Sequence, residues 1–230
     1  QTLDMKNISF HYPDSDFTLR DINLSFTKGE IIGITGYSGS GKSTFVDLLM
    51  GLIPPDHGTI IFNGREVSVY ENKSWFKKLS YLPPKIHLIN ESIERNIHFS
   101  ETSEINSSKI ERILNEVNLN GVLDDHKTTK NVNFSSGQIQ RLGIARSIYK
   151  DHEIIFYDEP TSALDNKNRD HFIARMQRDK DEVLTILISH DLSLLQAADK
   201  VLVFDNGKIE FFGSYDDALQ ESDIMATLRV

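Results

Sequence analysis

Cysteine is missing from all 230 residues, which excludes disulfide bonds, thiolate catalysis and any Cys-based metal site. That absence fits a reducing cytoplasm. No apolar run approaches the ~18–20 residues that cross a bilayer, and no basic and apolar leader stands at the start. An excess of basic residues is also lacking. The 25 Lys and Arg against 34 Asp and Glu give a net charge of −9, which argues against nucleic acid as a partner bound through overall charge. Internal repeats and low-complexity tracts are absent as well. The chain begins at Gln1 rather than Met, and the expectation is a piece of a longer polypeptide with a membranous remainder. What is present is ordinary for a soluble globular protein: 26% charged and 39% hydrophobic residues. The length suits one large domain or a core with an inserted lobe.

The first segments, "LDMKNISF" and "FTLRDINLSF", alternate apolar and polar residues around the turn-rich "HYPDSD" and read as strands. "EIIGIT" (30–35) reads as a buried strand, followed by a glycine-rich loop and the helix "FVDLLMGL", which Gly51 and then Pro54-Pro55 end. "GTIIFNG" and "KLSYL" read as further strands. From about 86 to 150 helical patterns dominate, as in "SKIERILNEV", where Ile110, Ile113, Leu114 and Val117 recur at helical spacing. Three apolar runs follow, "EIIFYD", "VLTILIS" and "KVLVFD", with the look of buried parallel strands. The expectation is an α/β fold in which residues 1–85 and 151–230 form the core with an N-terminal antiparallel β subdomain. Residues 86–150 would be an inserted α-helical subdomain.

The run Gly36-Tyr37-Ser38-Gly39-Ser40-Gly41-Lys42-Ser43 is a full GxxxxGK[ST] between a strand and a helix. Its glycines let backbone N–H groups converge on phosphate oxygens. Lys42 would bring a point charge to the β- and γ-phosphates, and Ser43 a hydroxyl ligand for Mg²⁺, with Thr44 beside it in the nucleotide site. This pattern alone leaves an ATPase, a GTPase and a small-molecule kinase open.

"EIIFYDEP" (153–160) puts Asp158 and Glu159 at the end of a wholly apolar strand. Asp158 is placed to hold Mg²⁺ through water, and Glu159 to orient or deprotonate an attacking water. Capping of the next helix is the plainer role for either carboxylate. His190 closes the strand in "LTILISHD"; alone it reads as a surface or capping residue, and beside the other motifs as a γ-phosphate sensor. Further, "NVNFSSGQIQRLGIAR" (131–146) opens a Ser-Ser-Gly-Gln loop into a helix with Ile139, Leu142, Ala145 and Ile148 on one stripe. A helix N-terminus of that kind is a second anion site.

The ordered set "GYSGSGKST", "FSSGQIQRLGIAR", "IIFYDEP", "SALD" (162–165) and "ISH" resembles the ATP-binding domain of ABC transporters over nearly the whole chain. The resemblance implies a P-loop NTPase core that binds ATP with Mg²⁺. It also implies a site assembled between two such domains facing head to tail. Ser135, Gly137 and Gln138 would then hold the γ-phosphate of a nucleotide bound to the partner domain, which explains the second anion site. By the same resemblance Tyr12 stacks on adenine, and Asp165 lies in a loop that touches the opposite subunit. The stretch "KIHLINESIERNI" (85–97) is similar to the exporter branch. That branch implies a transmembrane domain ahead of this one on the full-length chain, and a position at the cytoplasmic face of a membrane, the inner or plasma membrane of a bacterium.

Three departures stand against the family pattern. Phe134 and Ser136 replace the usual Leu and first Gly of Leu-Ser-Gly-Gly-Gln. The family's acidic-Gly segment is not recognisable in "DDHKTTKNVN". Pro84 stands where the family has a glutamine after the strand "LSYLP", and proline offers neither an amide side chain nor an N–H. Beside the transport ATPase, two readings stay open: a weakly hydrolysing regulatory half of a heterodimer, and a non-transport ATPase of the same superfamily.

Overall fold

Two sheets of opposite character meet across one hydrophobic layer. The computed structural model describes residues 1–14, 17–67, 73–99, 104–120 and 134–228. Strands β1 (Thr2–His11), β2 (Thr18–Thr27), β4 (His57–Phe62) and β5 (Arg65–Glu66) form an antiparallel sheet in the order β2-β1-β4-β5. The second sheet contains β3 (Ile31–Gly36), β6 (Leu79–Leu82), β7 (Ile154–Asp158), β8 (Leu184–Ile188), β9 (Lys200–Asp205) and β10 (Lys208–Gly213). Its order is β10-β9-β3-β8-β7-β6, parallel throughout except where β10 returns antiparallel on β9.

Helices α1 (Lys42–Met50), α2 (Lys73–Phe76), α3 (Ile93–His98), α4 (Ser107–Glu116), α5 (Ser136–Tyr149), α6 (Asn166–Asp179), α7 (Leu192–Gln196), α8 (Tyr215–Glu221) and α9 (Asp223–Leu228) surround the sheets. All six residues of β3 and all five of β8 are buried, which is why they read as unbroken apolar runs: a parallel strand covered on both faces has no solvent side. Successive residues serve opposite faces. Ile154 and Phe156 pack with Phe45, Leu48 and β1–β2, while Ile155 and Tyr157 pack with Ile113, Leu142 and Phe172 of the helical side. Each such side chain contributes about 1.5–3 kcal/mol when fully buried.

The expected α/β fold, with its antiparallel β sheet and helical cluster, is the fold observed. Strand β10 went unread in the sequence, because its half-exposed edge pattern lacks the apolar run that marked its neighbours. The stripe expected on α5 is wider than a stripe. Leu142 and Ala145 are buried as expected, Ile139 and Ile148 are only half-buried, and Gln140, Gly143, Ile144 and Ser147 are buried too. The helix is enclosed by β6, α3 and α4 rather than laid on the surface.

Candidate active site

The phosphate loop starts where β3 ends. Gly36 has φ 139°, and a Cβ there would stand 2.2 Å from the carbonyl oxygen of Phe204 in β9, so the loop can leave the sheet only through glycine. The loop closes on itself through Ser40 N–H donating to Tyr37 O (3.1 Å), and Gly207 N–H, from the β9–β10 turn, donates to Ser40 O (2.9 Å). Tyr37, Ser38 and Gly39 are exposed on the outer side of this turn. Helix α1 then begins after Gly41 with no side-chain cap and no acidic residue in its first turn, leaving its N–H groups and dipole for an anion.

Lys42 is 8% exposed, and its Nζ donates to Gly36 O (2.6 Å) and Tyr37 O (2.8 Å). Burial lowers its pKa, and the charges of Glu159 and Asp158 partly restore it. The Ser40 hydroxyl is buried without a hydrogen-bond partner. Tyr12 lies edge-on to Phe10, with ring centroids 4.8 Å apart, and its hydroxyl is 3.3 Å from Thr44 Oγ1. A cleft of about 330 Å³ is lined by Tyr12, Phe17, Gly39 and the residues Gly41 to Thr44.

Asp158 ends β7 and Glu159 follows it with φ 49°, a left-handed conformation unusual for a side chain with a Cβ. The Glu159 N–H donates to Ile188 O of β8 (2.9 Å). Burial raises the Glu159 pKa first and the Asp158 charge raises it further; the His190 backbone N–H and Lys42 oppose them. Asp158 is raised chiefly by burial, with Asp47 of α1 adding to the effect and the Tyr81 hydroxyl and Lys42 working against it. Burial and these acids push the Tyr81 phenol up to about 12. His190 Nε2 lies 3.9 Å from Glu159 Oε1. Burial, then Lys42, lowers its pKa, so at neutral pH the imidazole is uncharged and offers a hydrogen bond rather than an ion pair. One cation, a neutral imidazole and carboxylates with raised pKa thus share one rim, an arrangement suited to moving a proton beside bound phosphate.

No group of three or more His, Cys, Asp or Glu residues among the described residues could hold a metal by itself. The donors left are the exposed Ser43 hydroxyl and the half-buried Asp158 carboxylate. That sparse oxygen set suits Mg²⁺, which keeps several waters and takes phosphate oxygens as ligands.

The α5 N-terminus, expected from the sequence to be a second anion site, is differently made. Ser135 caps α5 by accepting from Gln138 N–H (3.2 Å), and the Gln138 side-chain oxygen accepts from Ser135 N–H (2.9 Å). This capping box follows from the Ser-x-x-Gln spacing and was legible in the sequence. Gly137 lies against the loop after β7: a Cβ there would be 3.1 Å from Ala163 O. Asp165 caps α6 through Asn168 N–H (2.8 Å), and this backbone bond holds its carboxyl below the usual range. Pro84 is exposed in a stretch pinned by its neighbours. Gly143 of α5 lets Leu82 and Ile86 approach so closely that a Cβ would sit 2.8 Å and 2.2 Å from their side chains. The segment "DDHKTTKNVN" lies outside the described residues.

Sequence reasoning missed Asp47, Tyr81 and Gln140. Asp47 sits four residues after Ser43 on α1, a helical spacing that could have been followed. Tyr81 and Gln140 reach the rim only through the packing of β6 and α5.

A glycine-rich loop at the C-terminal end of a central parallel strand, with an acidic partner at the end of β7, defines a P-loop nucleotide-binding protein. Within that class, the ABC transporter family profile matches residues 19–162, and the chain belongs to that family. Membership implies ATP binding and hydrolysis. An ATP-dependent lipid A-core flippase of Burkholderia orbicola (strain AU 1054) is 34% identical over 235 residues, covering 99% of this chain and 39% of the flippase. The protein of the same name from Pseudomonas aeruginosa PAO1 is 33% identical with the same coverage. Among solved structures, a bacterial Atm1-family ABC exporter with ATP bound aligns with a TM-score of 0.89 at 26% identity, over 99% of this chain and 41% of that one. The chain therefore spans about two fifths of the relatives it matches. No helix among the described residues is long and apolar enough to cross a membrane.

Proposed function

We propose that this chain is the Mg²⁺-dependent ATP-hydrolysing domain of an exporter, and that it dimerises around two ATP molecules to power transport by a membrane domain. Residues 1–85 and 151–230 would serve as the ATP-binding core, and 86–150 as the helical part that meets the partner. The observation carrying this reading is the convergence of Lys42, Asp158, Glu159 and His190 on one rim: Lys42 acts electrostatically on both acids and on the histidine, and His190 stands 3.9 Å from Glu159.

In this reading the α1 N-terminus, Lys42 and the Ser40 hydroxyl receive the phosphates, and Tyr12 receives the adenine. Ser43 and Asp158 would hold Mg²⁺, which supplies charge neutralisation at the β- and γ-phosphates. Glu159 takes the proton of the attacking water, and neutral His190 donates a hydrogen bond to the γ-phosphate. Ser135, Gly137 and Gln138 of the opposing copy close the site. The relatives are lipid A-core flippases and a bacterial Atm1-family ABC exporter, which supports a place at the cytoplasmic face of a bacterial membrane with a transmembrane domain as partner.

Light scattering of Glu159→Gln with Mg-ATP tests this. Twice the monomer mass is expected, returning to the monomer with ADP, and a mass that stays monomeric at high protein and ATP concentrations overturns the ATP-driven homodimer. A second reading, a weakly hydrolysing half of a heterodimer, draws on Pro84, which cannot supply the amide the family places there. Mixed-partner dimers with no ATP-driven homodimer would favour it.

A further inference from the structure

We infer that Gln140 is a positioning residue for Glu159: its buried side-chain amide reaches from helix α5 to the backbone carbonyls of Glu159 and Pro160 and holds the acid in its unusual conformation. The inference rests on the reading of Glu159 as the general base.

Gln140 is 5% exposed, and its Nε2 donates to Pro160 O (2.9 Å) and Glu159 O (3.3 Å). A polar side chain at such a position needs partners, because an unmet buried amide costs more than an ordinary hydrogen bond gains. The partners it finds are informative. Glu159 has φ 49°, a conformation that costs a residue with a Cβ and persists only when its surroundings over-determine it. Two restraints do so from opposite sides: β8 takes the Glu159 N–H through Ile188 O, and α5 takes the Glu159 carbonyl through Gln140. Fixing both ends of the residue fixes the Cα–Cβ direction, and with it where the carboxylate points.

The tether also joins two parts of the chemistry. Gln140 lies two residues after Gln138, within the first turns of α5, and Gly137 packs on the Ala163 carbonyl of the same loop. Movement of the α5 N-terminus is thereby transmitted to the loop that carries Glu159. If Ser135 and Gly137 grip the partner's nucleotide, the base of one site is set by occupancy of the other.

Gln140→Met keeps length and deletes both donors, and Gln140→Glu keeps shape while replacing the amide nitrogen with oxygen. In each, kcat for ATP should fall about tenfold or more while KM stays within about twofold. In the Glu159→Gln background the same substitutions should lower the rate no further. Rate losses that multiply in the double variants, or a KM that rises with the fall in kcat, would leave Gln140 a structural residue and overturn the proposal. A readout without nucleotide accompanies these. Amide hydrogen exchange at Glu159 should quicken about fivefold or more, with α1 unchanged; unchanged exchange at Glu159 overturns the tether. Should Glu159→Gln alone leave kcat intact, the general-base reading fails, whereas the exchange result still decides the tether. If Gln140→Met does not fold, Gln140→Glu carries the same comparison.

Discussion

Two helix N-termini of the chain, those of α1 and α5, are finished in opposite ways. At α1 the loop is glycine and serine apart from the outward Tyr37, no side chain caps the helix, and a buried lysine donates to two carbonyls. At α5 the helix is closed by its own side chains, Ser135 and Gln138 satisfying each other's backbone N–H groups. The first site is built to lack something and the second is complete as it stands. A preorganised site can bind its anion alone, because its donors are already desolvated and aimed. A self-capped terminus gains little from a free anion and answers only to one delivered with a large surface around it.

Four substitutions sharpen or break this contrast. Glu159→Gln should lower kcat by about 10²–10⁴ while ATP binding persists, measured by steady-state assay beside calorimetry. The same variant should be more stable. Burial raises the Glu159 pKa, so ionising it costs stability as pH rises from the ordinary carboxylate value through the raised one. At neutral pH the full penalty stands, and Gln removes it; a lower Tm at pH 7 would contradict the burial. The same sign places the acid limb of the wild-type rate above the usual carboxylate range, with activity lost as pH falls through it.

Lys42→Ala should weaken ATP binding by about 2–5 kcal/mol, as truncation of one partner of a buried charge pair does. Undiminished affinity in a calorimetric titration would make the α1 site no better prepared than α5. Pro84→Gln restores the side chain that the family pattern has at this position and should raise kcat about tenfold and lower the Mg²⁺ concentration for half-maximal rate, since an oriented amide acts in the transition state more than in binding. Unchanged kcat and Mg²⁺ dependence would show the position to be outside catalysis in this chain. Smallest is Ser135→Ala, which removes the α5 cap and should cost about 1 kcal/mol, or roughly 2–4 °C in Tm for a domain of this size. ATP affinity of the monomer should not move. If it does, the second terminus belongs to the same site as the first and the contrast fails.

Legibility in the sequence followed how local each feature is. The phosphate loop, the Asp158-Glu159 pair and His190 each sit at a strand end, where an apolar run stops and polar residues begin within a few positions, so each stands out in the sequence. Their meeting at one rim follows from parallel strands that share a C-terminal end. Gln140 was hidden because a helix period says which residues are inside but not which inside residue must be polar. Tyr81 was hidden for a related reason: β6 alternates, and its outward tyrosine reads as solvent-facing until β7 brings Asp158 beside it. The capping box at α5 is a local Ser-x-x-Gln pattern and is legible in the sequence.

The turn between β9 and β10 reaches back across the molecule, its Gly207 N–H holding Ser40 O at 2.9 Å and its carbonyl accepting from Arg20 N–H at 3.2 Å. The phosphate loop is therefore not a portable peptide. Its curvature is borrowed from residues more than 160 positions downstream, so a nascent chain leaving the ribosome has spelled out the whole motif long before it can hold its shape. Nucleotide capture during synthesis would have to wait for the β9–β10 hairpin.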